Sequence, residues 1–234
     1  MYIPTEEDDS VKEYLRMRDD HKLAHWKWLK KLELSALYRE VLDEYMASYE
    51  EYTAKIERFD QRIEELASQE KYEEKVKRIG CFLGTKTHTA LSLIVEYGGF
   101  ARFAKGYIYA AFLGLAPGED SSGSKTNRTG LSKAGNGHLR KLLIESAGGI
   151  CKGMVGHKSK DLKARQNGNT AEVIAYADRA NTRLRSRYYK FIRQGKARNV
   201  AVAAITRELA CFVWGMMTDN ISPRPASAHD EMGN

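Results

Sequence analysis

The sequence predicts an all-α protein built from two helical parts. Between residues 38 and 66, apolar side chains recur at steps of three or four residues. The second half consists of short apolar segments separated by glycines, and several have helix-capping residues at their ends. No segment has a convincing strand-like alternation of apolar and polar residues. We therefore predict a helical coiled-coil region over residues 1–75, a compact helical domain over 76–220 and a disordered tail over 221–234.

The charge is distributed unevenly along the 234 residues, whose net charge is +7 with the histidines neutral. Residues 1–75 hold 13 basic and 20 acidic side chains, a net charge of −7. Residues 122–198 hold 18 basic and four acidic side chains, a net charge of +14. So dense a basic block favours a polyanionic partner, most simply nucleic acid, over the alternative of a solvated lysine-rich surface.

Cysteine usage and hydropathy predict a cytoplasmic protein without a membrane partner. The three cysteines stand far apart, which excludes a disulfide scaffold and a zinc knuckle and fits a reducing compartment. The amino terminus is acidic and lacks the apolar run of a signal peptide. The most apolar stretch, Val200–Met217, contains Arg207 and Glu208, which predicts a buried helix and not a membrane span.

The first part of the chain contains two predicted helices, a basic and aromatic one over residues 11–34 and a longer one after it. The longer helix carries a tyrosine-rich apolar seam formed by Tyr38, Val41, Tyr45, Tyr49, Tyr52, Ile56, Phe59, Ile63 and Leu66. This periodicity favours a packing seam over a surface on which nucleotide bases stack. We expect the seam to pair either with residues 11–34 or with a second copy of the chain, which would make a homo-oligomer.

In the second part, the apolar segments predict helices over about Thr87–Glu96, Lys105–Leu113, Asn136–Ala147, Ala171–Gln194 and Val200–Met217. Asn169 and Thr170 precede the fourth of these helices and Gly195 follows it. Asn199 is the predicted cap of the last helix.

A glycine-containing turn before the helix at Thr87 is a candidate phosphate site. Backbone N–H groups at a turn that opens a helix can bind phosphate, as in helix-hairpin-helix DNA-binding elements, and Gly84 and Lys86 lie at this turn. The alternative is an ordinary connecting turn, because glycine turns before helices are common.

A long segment over 113–140 is dense in glycine, serine, threonine and asparagine, which predicts a loop. A loop hydroxyl could attack a phosphodiester, and Lys125, Arg128 and Lys133 could neutralise the charge that develops at phosphorus. Ser122 is a candidate nucleophile, although serines in such loops are mostly turn formers. The helix that follows carries Arg140 and Lys141 in its first turns.

The helix over 171–194 supplies a third basic element. Arg183, Arg187 and Lys190 lie three or four residues apart and share one face, which suits contacts with phosphates. Leu184, Tyr188 and Ile192 line another face. The cysteines are predicted to be packing residues, and the histidines lack the spacing of metal ligands.

Taken together, these motifs resemble the C-terminal domain of transposases of the insertion sequence 110/116/902 family. Leu83–Ala90 resembles the family's Pro-Gly-Val-Gly-x-x-Thr-Ala hairpin, with Leu83 in place of proline and Lys86 in place of the second glycine. The other matching segments are Phe100–Phe103, Phe112–Pro117, Ser122-Gly123 and Leu131–Arg140. Residues 1–75 are similar to the family's helical middle region, and 171–217 to its closing helices.

The resemblance implies a function. Such transposases cut and rejoin DNA through the serine of the Ser-Gly pair, which forms a covalent phosphoserine link with DNA, and that serine corresponds to Ser122. The resemblance and the basic motifs together give these candidate DNA- or RNA-binding residues: Gly84, Lys86, Gly123, Lys125, Arg128, Lys133, Asn136, Arg140, Lys141, Arg183, Arg187 and Lys190.

The family also carries an N-terminal RuvC-like domain with an Asp-Glu-Asp-Asp magnesium site, and a bridge RNA guides it. We expect a truncated member, because residues 6–9 form an acidic tail and not carboxylates placed on strands. The resemblance therefore implies no cofactor in this chain and Mg²⁺ in the full-length family. The alternative function is a catalytically inactive remnant that binds nucleic acid and oligomerises.

Overall fold

The structure is a computed structural model that describes residues 22–96, 99–119 and 128–221. These residues form an all-α fold, as the sequence predicts, with one two-stranded sheet. The chain divides near residue 57 into two compact units. The predicted domain boundary between residues 75 and 76 lies within a helix and stays a prediction. The predicted tail beyond 221 and the acidic residues 6–9 lie outside the described residues.

The first unit contains helix α1, Lys22–Lys31, and most of helix α2, Ala36–Ala67. Trp26 packs on Tyr49 with ring centroids 5.1 Å apart, and Leu29 and Met46 are buried. Arg39 donates to the carbonyl oxygen of Leu29 over 3.2 Å and so holds the end of α1. The predicted helix over 11–34 ends at residue 31, and its part before residue 22 lies outside the described residues.

Helix α2 is one continuous helix of 32 residues, as the period of three and four residues predicts. Most of its seam faces solvent in the single chain: Tyr52 is 65% exposed, and Ile56 and Phe59 are each 58% exposed. Within the described residues, α1 therefore covers only the neighbourhood of Tyr49.

The second unit contains the end of α2, seven further α-helices and two short strands within the described residues. The helices are α3 Glu70–Ile79, α4 Thr87–Val95, α5 Gly106–Phe112, α6 Gly137–Ile150, α7 Lys160–Gln166, α8 Ala171–Arg193 and α9 Arg198–Met217, and a 3₁₀ turn spans Phe100–Arg102. Strand β1, Pro117–Glu119, pairs antiparallel with β2, Arg128–Leu131.

Helix α9 lies at the centre of this unit and packs against α3, α5, α6 and α8. Its side chains Ile205, Leu209 and Val213 are fully buried. Among the described residues, α9 is the one helix with the length and composition of a membrane span. Its buried contacts with four other helices are those of a core helix, as the sequence predicts.

Several predicted boundaries need correction. The segment over 113–140 includes the strands β1 and β2, because ladders this short leave too few residues for an alternating pattern. Helix α6 continues to Ile150, through Gly148 and Gly149, and Gly149 lies against the backbone of Gly84. Asn199 does not cap α9, because the extended residue Ala197 precedes the helix and Arg198 begins it.

Two end signals of α8 are confirmed. The Thr170 hydroxyl accepts from the N–H of Val173 over 3.4 Å, and Gly195 follows the helix with a φ of +75°. Ile192, predicted to share the apolar face of this helix, lies in the last turn of α8 and is 38% exposed.

Candidate nucleic-acid site

The turn over residues 80–86 joins α3 to α4, so two helices meet at the predicted phosphate site. Gly84 has a φ of +76°, and a Cβ atom there would stand 2.1 Å from the carbonyl oxygen of Ser146 in α6. A Cβ atom at Gly149 would stand 2.9 Å from the Gly84 Cα atom. Gly84 thus allows the backbone of the turn to contact the backbone of α6.

Side chains from α7 and α8 hold this turn in place. The Arg165 guanidinium donates to the carbonyl oxygens of Gly80 and Thr85, each over 2.5 Å. The Asn181 side-chain oxygen accepts from the N–H of Leu83 over 2.9 Å. Arg165 and Asn181 are absent from the predicted site residues, because neither residue type reveals that its partner is a backbone group 80 or more residues away.

Lys86 is the residue immediately before α4, and its side chain is exposed. The side chain of Lys86, the residue at the N-cap position, makes no capping hydrogen bond to the first turn of α4. The exposed lysine and the N–H groups of that turn are therefore placed as a phosphate contact requires. The assignment of Gly84 and Lys86 to nucleic-acid binding stays a prediction.

Strands β1 and β2 bring together the two ends of the segment that contains the predicted nucleophile. Glu119 pairs with Arg128 and Pro117 pairs with Leu131. Residues 120–127 connect these strands, so the predicted site residues Ser122, Gly123 and Lys125 lie outside the described residues. Arg128, a predicted phosphate ligand, begins β2.

The backbone beside these strands is tightly packed. A Cβ atom at Gly114 would stand 2.0 Å from the carbonyl oxygen of Ala134, which brings the segments before β1 and after β2 into contact. Arg140 donates to the carbonyl oxygens of Leu113 and Ala134 over 3.1 and 3.3 Å. This predicted phosphate ligand therefore holds the base of the strand pair. Lys133 lies between β2 and α6 along the chain, is exposed and has a φ of +54°.

Asn136 caps helix α6: its side-chain oxygen accepts from the N–H groups of His138 and Leu139 over 2.9 and 3.1 Å. Its side-chain amide donates to the carboxylate of Glu96. The Asn136 side chain is thus already engaged within the protein. Lys141, another predicted ligand, lies 3.9 Å from Glu145 and is largely exposed.

Two histidines and a carboxylate meet at the start of α6. The imidazole Nε2 atom of His138 lies 3.7 Å from a carboxylate oxygen of Glu96, and the His88 and His138 rings are 6.2 Å apart. His88 and Glu96 have no predicted role, because 50 residues separate the two histidines along the chain.

The predicted basic face of α8 is partly neutralised. Arg183 and Arg187 share one face, as predicted, but both donate to the carboxylate of Glu208 in α9, over 2.5 and 2.7 Å. Both guanidinium groups remain well exposed, at 63% and 44%, whereas Glu208 is 14% exposed. Lys190, the third residue of this face, is exposed near the end of α8.

Two exposed aromatic residues of α5 each lie beside a cation, and neither was predicted as a site residue. Tyr107 and Phe112 are exposed. The guanidinium of Arg102 lies 4.8 Å from the Phe112 ring centroid, and the Lys105 ammonium lies 5.8 Å from that of Tyr107. Unpaired nucleic-acid bases stack on exposed aromatic rings of this kind, and neighbouring cations attract the phosphates.

The cysteines are poor nucleophiles. Cys81 and Cys151 are buried, and that burial raises the pKa of each thiol to about 11. Burial also raises the pKa of Cys211. The three thiols therefore stay protonated at neutral pH.

The described residues do not provide a metal site. Within residues 22–96, 99–119 and 128–221, no group of three or more His, Cys, Asp and Glu side chains could hold a metal ion.

The segment that contains this site matches a known protein family. Residues 77–162 match the family described as "Transposase IS116/IS110/IS902 family". The matched segment runs from the end of α3 to α7 and includes the turn over 80–86, both strands and the Ser122-Gly123 dipeptide.

Three curated relatives agree with this match. The chain is 35% identical to "Putative transposase y4qE" of Sinorhizobium fredii over 57% of this chain and 34% of the relative. It is 28% identical to the transposase for insertion sequence element IS1533 of Leptospira borgpetersenii over 80% of this chain and 62% of the relative. It is also 28% identical to the transposase for insertion sequence element IS1111A of Coxiella burnetii, over 79% of this chain and 41% of the relative. The chain thus spans between about a third and three fifths of the length of these relatives.

Proposed function

Because the chain belongs to the IS116/IS110/IS902 family of insertion-sequence transposases, we propose that it binds DNA and cuts and rejoins it with Ser122 as the nucleophile. The observation that carries this proposal is the family match itself, which spans Ser122 and the segments on both sides of it. The strand pair also supports the proposal, because it joins the two ends of the segment over 120–127.

The proposed chemistry is a phosphoryl transfer. The Ser122 hydroxyl oxygen forms a bond to a DNA phosphorus while the bond from phosphorus to a deoxyribose oxygen breaks. The serine proton goes to solvent, and the leaving oxygen takes up a proton to become a hydroxyl. One phosphate ester replaces another, so the reverse step can rejoin DNA without a further energy source. Cations such as Lys125, Arg128 and Lys133 would stabilise the negative charge that develops on the phosphoryl oxygens.

The partners follow from the same assignment. The basic block over 122–198, the exposed Lys86 and the exposed rings on α5 supply charge and stacking surfaces for DNA and for a structured bridge RNA. The exposed seam of α2 would pair with the same seam of a second copy, because solvent-exposed tyrosine and isoleucine at heptad spacing favour helix pairing. With DNA as substrate, the chain would act in the cytoplasm.

A covalent-trapping experiment tests the nucleophile. The protein is incubated with Mg²⁺, the element's RNA and labelled DNA carrying insertion-sequence ends and target, and an adduct that resists denaturation is sought. We expect Ser122→Ala to abolish the adduct. Ser121→Ala and Ser124→Ala are matched controls in the same segment and should retain it.

Two other outcomes of the trapping experiment would contradict the proposed role of Ser122. An adduct that persists in Ser122→Ala would show that another group attacks. Salt-sensitive binding of DNA by the unaltered protein without an adduct would instead favour the alternative function, a catalytically inactive protein that binds nucleic acid and oligomerises.

A further inference from the structure

The loop over residues 151–157, between α6 and α7, exposes two apolar side chains at its tip. Met154 is 72% exposed and Val155 is 46% exposed. Gly153 and Gly156 flank them with φ values of +84° and +78°, which only glycine adopts readily. A hydrogen bond of 3.3 Å from the N–H of His157 to the carbonyl oxygen of Met154 closes the turn. The chain therefore projects Met154 and Val155 outward together.

The same loop is fixed from beneath by a buried cation. Arg185 of α8 is 5% exposed, and its guanidinium donates to the carbonyl oxygens of Ile150 and Met154 over 2.7 and 2.6 Å. The hydroxyl of Tyr189 donates to the carbonyl oxygen of Gly153 over 2.7 Å. Burial lowers the pKa of Arg185, because an apolar environment disfavours its charge. A buried guanidinium that binds loop carbonyls holds the tip in one position, which a simple connection would not require.

The charge around the tip identifies the class of partner. Residues 151–160 contain three lysines and a histidine but no aspartate or glutamate. Lys158 pairs with Asp178, whereas Lys152 and Lys160 are exposed on either side of the tip. An apolar tip between exposed cations matches a polyanion with an apolar interior, and a DNA duplex has charged phosphates outside stacked bases. An apolar groove on a protein would not require the cations.

We propose that Met154 and Val155 form a wedge that enters the minor groove and inserts between two base pairs of bound duplex DNA. Methionine is among the side chains that open base steps in this way, and such insertion kinks the duplex by about 20–90°. Lys152 and Lys160 would contact the phosphates on either side. This inference rests on the proposed function, since it requires that the chain bind DNA.

The test measures bending separately from binding. A DNA duplex labelled with a donor and an acceptor dye at its two ends is titrated with the protein, so that energy transfer reports the bend and fluorescence anisotropy reports affinity. The double variant Met154→Ser/Val155→Ser should bind with at most about tenfold lower affinity, because phosphate contacts supply most of it. It should lose the rise in energy transfer. The control Val200→Ser removes an apolar side chain that is 58% exposed elsewhere and should bend DNA as the unaltered protein does.

The outcomes separate the two proposals. If the unaltered protein binds no DNA even at low salt, the proposed function fails together with this inference. If it binds without bending, or if the double variant bends DNA fully, the wedge is wrong while DNA binding stands. If the double variant instead dissociates an oligomer and still bends DNA, the tip contacts a second copy and the wedge is equally overturned.

Discussion

The position of Gly84 imposes two requirements that only glycine, among the residue types, satisfies together. Its φ of +76° lies in the left-handed region, and its Cα atom lies where α6 leaves no room for a side chain. Gly168 has a similar φ of +84°, but a Cβ atom there would have no heavy atom within 4 Å. The two glycines therefore separate the effect of backbone conformation from the effect of a steric clash.

We predict that Gly84→Ala destabilises the protein by at least about 3 kcal/mol, because left-handed strain adds to overlap with a backbone carbonyl. Gly168→Ala introduces left-handed backbone strain without a steric clash, so it should lower the free energy of unfolding by about 1 kcal/mol. Urea denaturation monitored by circular dichroism measures both. Equal losses in the two variants would mean that the turn moves away from α6 without resistance.

Several arginines of the basic block bind backbone groups of the protein itself. Arg140, Arg165 and Arg185 each donate to carbonyl oxygens of a loop. A guanidinium has five N–H donors in a planar fork, so one side chain can satisfy several carbonyls that a loop leaves unpaired. Charge alone could not distinguish these arginines from phosphate ligands, which is why Arg140 was predicted to bind phosphate and Arg165 was missed.

At the scale of elements, the long helix α2 shows what periodicity can establish. The spacing of its apolar residues predicts a continuous helix, and the structure has one over Ala36–Ala67. Spacing says which residues share a face, because 3.5 residues make a turn of a coiled coil. It does not say which helix covers that face.

We predict that replacing Tyr52, Ile56 and Phe59 with aspartate dissociates the proposed oligomer. Burial of each such side chain contributes about 1.5–3 kcal/mol to association, and three buried charges would oppose it. Analytical ultracentrifugation should show the mass of a single chain at concentrations where the unaltered protein is larger.

The control places three aspartates on the opposite face of the same helix, at Ala47, Ala54 and Gln61. These exposed positions are seven residues apart, so they share one face away from the seam. This variant should keep the mass of the unaltered protein. Equal masses for the unaltered protein and both variants would exclude pairing through the seam.

Short elements were harder to predict than long ones. Helix α7 has seven residues and mixed polarity, and β1 and β2 have three and four residues, so none repeats its period often enough to give a recognisable pattern. The strand pair forms instead because the backbone around Gly114 brings two distant segments together. Long-range contacts of this kind are not encoded in local spacing.

At the scale of the whole molecule, the uneven charge predicts how DNA binding responds to salt. Phosphate contacts release counterions, so affinity falls steeply as salt rises. For a net charge of +14 over 122–198, we expect the affinity for duplex DNA to fall at least about 10³-fold between about 50 and about 200 mM salt. Fluorescence anisotropy measures this, and a flat salt response would contradict the electrostatic argument.

A matched pair of variants tests whether α8 makes these contacts. Replacing Arg183, Arg187 and Lys190 with glutamine should reduce the slope of log affinity against log salt by about two to three. Replacing Lys55, Arg58 and Arg62 of α2 with glutamine removes the same charge from the acidic part and should leave the slope unchanged. Equal reductions of the slope in the two variants would mean that only net charge matters. An unchanged slope in the α8 variant would mean that the Glu208 ion pairs keep the two arginines from DNA.

The sequence by itself determined the all-α class, the long seam, the ends of α8 and the resemblance to a transposase family, because periodicity, capping and motif spacing are local properties of the chain. Only the tertiary structure decided which polar residues hold the fold. Asn136 caps α6, Arg183 and Arg187 share Glu208, and Arg185 fixes a loop. A side chain's role depends on the partner it meets, and residues distant in sequence supply those partners only after the helices have packed.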